Sequence, residues 1–384
     1  MKVLYLVVAA ITALAVLPTA ASAQVPVQVS QSDIYTLRWA IPPDPGPNEV
    51  SKDQLAQPVM SPDAQAIFRA YSNGRVEKRL TSTGELQWVR DLGIEVRSAL
   101  GYQSSFSGQD WVAVVDALGT LHALSVADGT TLKSIKVGGS SRCTPLQTKA
   151  GLLFVAGDDR LVMLKPGLED GKPLWSTERV TARGMTMLGA GCPALTETLV
   201  CHGRSDGTVA CYDQASGALS WARRLGSKNT RLAVQDVDAG PVFHDGSIFA
   251  ASVSGGLYRL DAATGEIIWQ ADIKNVHRLG ANRFGLVALT LDGFAYGLSE
   301  SGEKRFATKL PSKRLESLLV GKSLALISAG ETGLVLLETE RGKPLQARAL
   351  GGEALSLPAT VGRHLVVQDA AGFLYHFELA EVGS

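Results

Sequence analysis

Residues 256–269 read GLYRLDAATGEIIW, and variations of this phrase recur along the chain. The phrase is a short alternating strand, a polar turn that ends in glycine, and an aromatic residue four positions later. Here the turn glycine is Gly265 and the aromatic residue is Trp269. The equivalent glycines are Gly84, Gly129, Gly171, Gly217, Gly302 and Gly342. Their spacing, roughly 37 to 48 residues, matches one four-stranded propeller blade per repeat.

The aromatic position indicates how neighbouring blades dock. A large ring on an outer strand can lie over the next blade's turn, where glycine leaves room and tolerates a positive φ. Phe306 takes this position in one repeat, whereas Lys133 and Gln346 replace the aromatic residue in two others. We therefore expect structural docking by Trp39, Trp88, Trp175, Trp221 and Trp269.

The two chain ends predict how the array closes. The last repeat continues through residues 373–377 but ends before an aromatic-bearing fourth strand. Residues 35–41, YTLRWAI, resemble residues 266–271, EIIWQA, and have no preceding strands of their own. The sequence therefore predicts an all-β, eight-bladed β-propeller over residues 35–380, with the N-terminal strand completing the last blade. Seven blades are the alternative, because the sixth and seventh repeats are the most degenerate.

Composition and the N-terminus indicate an exported protein. Lys plus Arg and Asp plus Glu are both 37 among 384 residues, which argues against nucleic acid as a partner. Residues 1–23 read as a signal peptide, with Lys2, an apolar run over 3–17 and a small-residue cleavage site. Residues 24–34 read as a linker. We expect a periplasmic chain with no transmembrane segment after cleavage, and no cysteine follows the apolar run to carry a lipid.

Four cysteines in an exported chain are disulfide candidates: Cys143, Cys192, Cys201 and Cys211. Four cysteines allow three pairings. In the blade arrangement Cys192, Cys201 and Cys211 occupy successive strands, so Cys201 can reach either neighbour, while Cys143 must reach across from the preceding blade. This arrangement favours Cys201 with Cys211.

The phrase Leu-Tyr-x-Leu-Asp-x-x-Thr-Gly-x-x-x-Trp resembles the PQQ-type propeller repeat, which quinoprotein dehydrogenases share with the BamB family of outer-membrane assembly scaffolds. Two local matches favour BamB. Residues 231–242, RLAVQDVDAGPV, are similar to the segment in which an Asp-Val-Asp loop leads into an inner strand. Residues 180–184, VTARG, resemble that family's leucine-and-arginine loop.

The resemblance implies a non-catalytic scaffold without a cofactor, whose partners are a BamA-like barrel-assembly component and unfolded outer-membrane proteins. Contacts to the BamA-like partner would fall on Val180, Ala182, Arg183, Asp236 and Asp238. The chain departs from the family at Val180 and Ala182, which replace bulkier leucines, and in lacking the lipidation cysteine. Asp236 and Asp238 are spaced two apart, so in an extended segment both carboxylates project to one side, towards a partner's arginine or lysine.

Other chemistry finds little support in the sequence. A quinone-dependent dehydrogenase of this type has a longer chain and adjacent cysteines, and no two cysteines here are adjacent. The cluster of Cys192, Cys201, His202 and Cys211 lacks a CxxC pair, and neighbouring residues on a strand point to opposite faces, so we expect no metal site. Two carboxylates before Gly240 are too few for calcium. A ligand-binding propeller remains the other alternative.

Overall fold

The computed structural model of the protein describes residues 34–43, 56–96, 98–106, 108–139, 141, 143–179, 191–225, 237, 239–252 and 255–380. Its strands form eight four-stranded antiparallel sheets, which are the blades of a propeller. The predicted eight-bladed fold is confirmed, and the seven-bladed alternative is wrong. Within these ranges one 3-10 helix, Pro166–Gly171, accompanies the strands, and no helix is long and apolar enough to cross a membrane.

We number the blades I to VIII around the ring and the strands along the chain. Blade I contains β2 (Val59–Met60), β3 (Ala66–Ala70), β4 (Arg75–Leu80) and β5 (Leu86–Asp91). Blade II contains β6 (Gly101–Phe106), β7 (Gln109–Val115), β8 (Thr120–Ser125) and β9 (Thr131–Lys136). Blade III contains β10 (Leu146–Gln147), β11 (Leu152–Val155), β12 (Leu161–Leu164) and β13 (Pro173–Ser176). Blade IV contains β14 (Ala194–Leu195), β15 (Leu199–Gly203), β16 (Thr208–Asp213) and β17 (Leu219–Arg224).

The second half of the ring repeats this order. Blade V contains β18 (Ala239–His244), β19 (Ser247–Ser252), β20 (Gly256–Asp261) and β21 (Ile267–Ala271). Blade VI contains β22 (Val276–Asn282), β23 (Gly285–Thr290), β24 (Phe294–Leu298) and β25 (Lys304–Lys309). Blade VII contains β26 (Ser317–Val320), β27 (Leu324–Ser328), β28 (Leu334–Glu338) and β29 (Pro344–Arg348). Blade VIII contains β30 (Ala359–Val361), β31 (His364–Gln368), β32 (Leu374–Leu379) and β1 (Tyr35–Ile41).

The ring closes between the chain ends. β1 pairs antiparallel with β32, so that Trp39 lies opposite His376. First strands of neighbouring blades contact each other near the axis, and β30 of blade VIII contacts β2 of blade I in the same way. The prediction that the N-terminal strand completes the last blade is therefore confirmed.

The core lies between blades, so the central strands are largely buried on both faces. Every residue of β19 and of β23 is buried, because the two faces of each sheet are covered by the neighbouring blades. Fourth strands are exposed at the rim, and all eight carry a β-bulge one residue before the aromatic position. In blade V, for example, Arg259 pairs with Trp269 and Leu260 with Ile267, which leaves Ile268 as the extra residue.

Each tryptophan of the fourth strands docks on the next blade. A β-carbon built on Gly265 would lie 2.4 Å from the Trp221 ring, and Gly302 has the same relation to Trp269. The indole Nε1 of Trp221 also donates a hydrogen bond to the carbonyl of Ala262, three residues before that glycine. The corresponding Nε1 donors and carbonyls are Trp39 and Thr81, Trp88 and Val126, Trp175 and Gln214, and Trp269 and Glu300.

The two repeats without an aromatic residue have different neighbours. The blade after Lys133 carries the 3-10 helix where other blades have a short turn, and Ile135 packs towards Gly171 at the end of that helix. The blade after Gln346 is the split one, so no covalent turn joins its third and fourth strands. There the Gln346 side chain accepts a hydrogen bond from Ile34 N at 2.9 Å.

Two disulfides join the cysteines. Cys201 and Cys211 lie opposite each other on β15 and β16, with both side chains buried. Cys143 pairs with Cys192 across 49 residues and connects the segment before blade III to the segment before blade IV. Cys192 was expected on a strand, which is wrong: β14 begins two residues later, because Pro193 cannot donate to the ladder.

Candidate functional site

The five residues predicted to contact a partner lie outside the described residues. Val180, Ala182 and Arg183 belong to the connection between blades III and IV, and Asp236 and Asp238 to the connection between blades IV and V. The described residues at the ends of both connections fix where they leave and re-enter the ring. The candidate site is therefore built from these ends and from the turns beside them.

Both connections belong to one face of the ring. In an antiparallel meander the turn between the second and third strands lies at the same end as the connection to the next blade. Hydrogen bonds show this proximity: Leu225 N donates to Gly207 O, and Leu310 N donates to Gly293 O. We call this end of the propeller, with its second turns and inter-blade connections, the connection face.

An ion-pair cluster holds the start of the first connection. Arg160 Nε shares its N–H between both carboxylate oxygens of Asp158, in the second turn of blade III, at 3.0 and 2.9 Å. Asp158 Oδ2 also lies 3.3 Å from Arg179 Nε, and the Arg179 side chain is 72% exposed. The Arg179 guanidinium is therefore exposed directly before residue 180, where the predicted contact segment begins. An exposed pair contributes little stability, so the arginine can exchange Asp158 for a partner's carboxylate.

The end of the first connection is held covalently and by close backbone packing. The Cys143–Cys192 disulfide fixes the residue next to Gly191. A β-carbon on Gly191 would lie 2.7 Å from the backbone of Gly240, and one on Gly240 would lie 2.7 Å from Cys192 O. Only glycine permits so close an approach of two backbone segments. The end of the first connection therefore touches β18, the strand that directly follows the second connection.

The second connection is anchored by apolar residues. Leu225, at its start, is buried and bonds to the second turn of blade IV. Val237, between the two predicted aspartates, is fully buried, and its N–H donates to Arg204 O at 3.3 Å. The Val237 side chain packs over Gly203, where a β-carbon would lie 2.6 Å from Val237 Cγ1.

Polar groups beneath the connection face join blades III and IV. Asp159 Oδ2 accepts a hydrogen bond from Ser205 N in the next blade at 3.0 Å. His202 is buried behind this contact, and burial lowers its pKa to about 4, although the negative charge of Asp159 acts in the opposite direction. His202 is therefore neutral at physiological pH.

Sequence reasoning missed Asp158, Asp159, Arg179 and Arg204 as supports of the site. Residues 157–160, GDDR, give a local signal, because a glycine and two aspartates are typical of a turn. The contact to Ser205 crosses between blades 46 residues apart, and no sequence spacing indicates it.

One arrangement elsewhere has the residue types of a hydrolase. His122 contacts Asp116 Oδ2 through Nε2 at 2.9 Å and Ser134 Oγ through Nδ1 at 3.1 Å. The other oxygen of Asp116 accepts the N–H groups of Leu118 and Thr120 in its own turn. We interpret this network as a brace of blade II. Within the described ranges no group of three or more His, Cys, Asp or Glu residues could hold a metal ion.

Comparisons with known proteins agree on one family. A family model described as "Outer membrane protein assembly factor BamB" matches residues 72–301. The BamB of Yersinia pestis is 23% identical over 331 residues, covering 81% of this chain and 82% of that protein. The BamB of Nitrosomonas eutropha is 24% identical over 374 residues, covering 92% of this chain and 86% of that protein.

Solved structures show the same fold. The crystal structure of BamB from Moraxella catarrhalis superposes with a TM-score of 0.76 at 18% sequence identity, covering 90% of this chain and 100% of that one. A computationally designed protein, Ika8, superposes with a TM-score of 0.69 at 16% identity, covering 86% of this chain and 98% of that one. At these sequence identities both matches show the fold alone.

Proposed function

The chain belongs to the BamB family of outer membrane protein assembly factors, and on this premise we propose that it is a non-catalytic scaffold for assembling β-barrel proteins into the outer membrane. Its working surface is the connection face between blades III and V. The partner is a BamA-like barrel-assembly component, and the clients are unfolded outer-membrane proteins.

The observation that carries the proposal is the backbone contact between Gly191 and Gly240. It joins the end of one connection to the strand that follows the other, and these two connections contain all five proposed contact residues. Because the Cys143–Cys192 disulfide fixes the same point, the two connections leave a common rigid base. A partner that engages one connection therefore meets the other, and the ordering cost of binding is lowered by the prior anchoring.

The chemistry of the proposed contact is electrostatic. Arg183 would bind a carboxylate of the partner, with the exposed Arg179 as a second donor nearby in sequence. Asp236 and Asp238 flank the buried Val237, and in an extended segment neighbours of a buried residue point away from the core. Both aspartates would then receive an arginine or lysine of the partner.

Clients are proposed to contact side chains of the scaffold more than its strand edges. Long added strands need a regular edge, and all eight fourth strands of this ring are bulged before the aromatic position. Exposed aliphatic side chains on these strands, such as Leu219 and Ile268, offer apolar contact instead.

The location we propose is the periplasm, with residues 1–23 as a cleaved signal. We propose that protein partners hold the scaffold near the outer membrane. We propose no enzymatic activity and no bound quinone, since the curated relatives named above are assembly factors.

Charge reversal tests the proposed contact. We expect Arg183→Glu and Asp236→Lys each to weaken binding to the purified BamA-like protein of the same organism about tenfold or more, because a like-charge contact replaces an ion pair. The measurement is a dissociation constant at low and at physiological salt, since screening weakens exposed ion pairs.

Matched controls lie on the opposite face of the same blades. Lys149 is in the first turn of blade III, and Glu266 is in the third turn of blade V. Lys149→Glu and Glu266→Lys should leave binding unchanged. Unaltered affinity in both Arg183→Glu and Asp236→Lys would refute the proposed contact, whereas equal losses in all four variants would show a nonspecific effect of charge.

A further inference from the structure

We propose that the seam of the ring contains an acid-sensitive latch, in which His364 and His376 hold the closing strand β1 through Trp39. The proposal concerns closure of the fold and is independent of the proposed function. The two histidines lie on β31 and β32 of the split blade, and Trp39 lies on β1.

The two imidazoles face each other directly. Their ring planes are inclined by 25° with centroids 5.1 Å apart, and His364 Nδ1 lies 2.9 Å from His376 Nε2. At this distance one ring N–H donates a hydrogen bond that the other ring's nitrogen accepts. Only one proton therefore fits between the facing nitrogens, both when the pair is neutral and when one of the two histidines is cationic. When both histidines are cationic, two N–H groups point at each other and two positive charges are adjacent. The contact between the rings then has to break.

The charged neighbours do not compensate a second positive charge. Glu378 lies opposite His364 in the β31–β32 register and is shared by Arg38, at 2.5 Å, and Arg363, at 3.6 Å. From blade I, Arg79 reaches the turn under Trp39 by donating to Gly84 O. Burial of His376, together with the positive charges of His364 and Arg38, lowers its pKa to about 4, and Glu378 acts in the opposite direction.

Trp39 transmits the state of the pair to the seam. Its ring centroid lies 5.2 Å from that of His376, and its Nε1 donates to Thr81 O of blade I at 2.9 Å. An aromatic face tolerates one cationic imidazole, so the first proton leaves the latch closed. Protonation of both histidines separates His364 from His376 and displaces Trp39, which contacts blade I together with Ile41 of the same strand.

The split blade is where such a change can act locally. In the other seven blades a covalent turn joins the third and fourth strands, whereas β1 is joined to β32 only by noncovalent contacts. Because the pKa of His376 is lower in the closed ring than its ordinary value of 6.5, the open seam binds more protons between the two values. Closure is therefore most stable above pH 6.5 and weakens as the pH falls towards 4.

Hydrogen–deuterium exchange of the full chain tests the latch. Mass spectrometry follows β1 and, as an internal control, β21, which carries Trp269 in the same position without a histidine pair. After correction for intrinsic rates, lowering the pH from about 7.5 to about 5 should reduce protection of β1 about tenfold relative to β21. In His376→Gln this selective loss should disappear.

Two results would overturn the latch. One is a parallel loss of protection in β1 and β21, and the other is a selective loss that persists in His376→Gln. If that variant does not fold, His364→Gln decides, since it keeps the His376 ring under Trp39 and removes the facing nitrogen. In His364→Gln the selective loss should be smaller than in the unaltered chain, because burial still lowers the pKa of His376 while the charge of His364 is gone. An undiminished selective loss in that variant refutes the proposal.

Discussion

At the scale of residues, one contact between a ring and a glycine is repeated around the propeller. Gly265 shows the demand most clearly, because its φ is +69° and the Trp221 ring occupies the space where a side chain would begin. The glycine serves both backbone conformation and packing. These two contributions can be separated within the same blade, because Gly246 has a φ of +70° and a β-carbon added there would have no neighbouring atom within 4 Å.

We expect Gly265→Ala to destabilise the protein more than Gly246→Ala. Both substitutions incur a cost of about 1–2 kcal/mol for a left-handed alanine. Gly265→Ala adds an overpacking cost of about 1–3 kcal/mol against Trp221. Free energies of unfolding from urea titrations give the difference. Equal destabilisation by the two substitutions would show that the ring does not rest on the glycine.

At the scale of elements, the period of the glycine turns predicts four strands per repeat, and the unmatched strand at residues 35–41 predicts the split blade. The sequence phrase repeats because every blade packs on the next blade through an equivalent interface. One local pattern therefore encodes both a turn and a docking surface. The exceptions at Lys133 and Gln346 required the structure, since their causes are a 3-10 helix and a missing covalent turn in the following blade.

The candidate site was less accessible to sequence reasoning. The Asp-Val-Asp segment and Arg183 could be named by resemblance, whereas the Gly191–Gly240 approach and the Asp159–Ser205 hydrogen bond join different blades. Such contacts depend on how neighbouring sheets pack. The residues of these contacts have no characteristic spacing in the sequence. A glycine between or within strands can also have several structural roles, so its presence alone does not predict a close approach.

The two disulfides should differ in their response to a reductant. Cys192 is exposed, whereas both Cys201 and Cys211 are fully buried between blades IV and V. Since exchange requires a thiolate to reach a sulfur atom, we expect Cys143–Cys192 to open first in the folded protein. Timed treatment with dithiothreitol, followed by alkylation and peptide mass spectrometry, measures the order.

The opposite order, or simultaneous opening of both bonds at the rate of global unfolding, would contradict this assignment of accessibility. A Cys143→Ala, Cys192→Ala double variant provides the control, because it retains only the buried bond. In that variant Cys201 and Cys211 should stay unalkylated under conditions that open the first bond in the unaltered chain.

At the scale of the whole molecule, the ring brings the end of one inter-blade connection against the strand that follows the next connection. Neighbouring blades cover each other's sheets, and the bulged outer strands discourage further pairing at the rim. Blades III to V differ from the rest through the Cys143–Cys192 bond and the Gly191–Gly240 approach. These extra contacts between blades III and V are consistent with a scaffold that holds its binding partners in a fixed arrangement.

The most direct test of this account is affinity capture of the tagged chain from the envelope of its own organism, with the recovered proteins identified by mass spectrometry. We predict recovery of a BamA-like barrel-assembly component by the unaltered chain and a marked reduction of that component with Arg183→Glu, while Lys149→Glu recovers it fully. Recovery of no barrel-assembly component by the folded, unaltered chain would contradict the account.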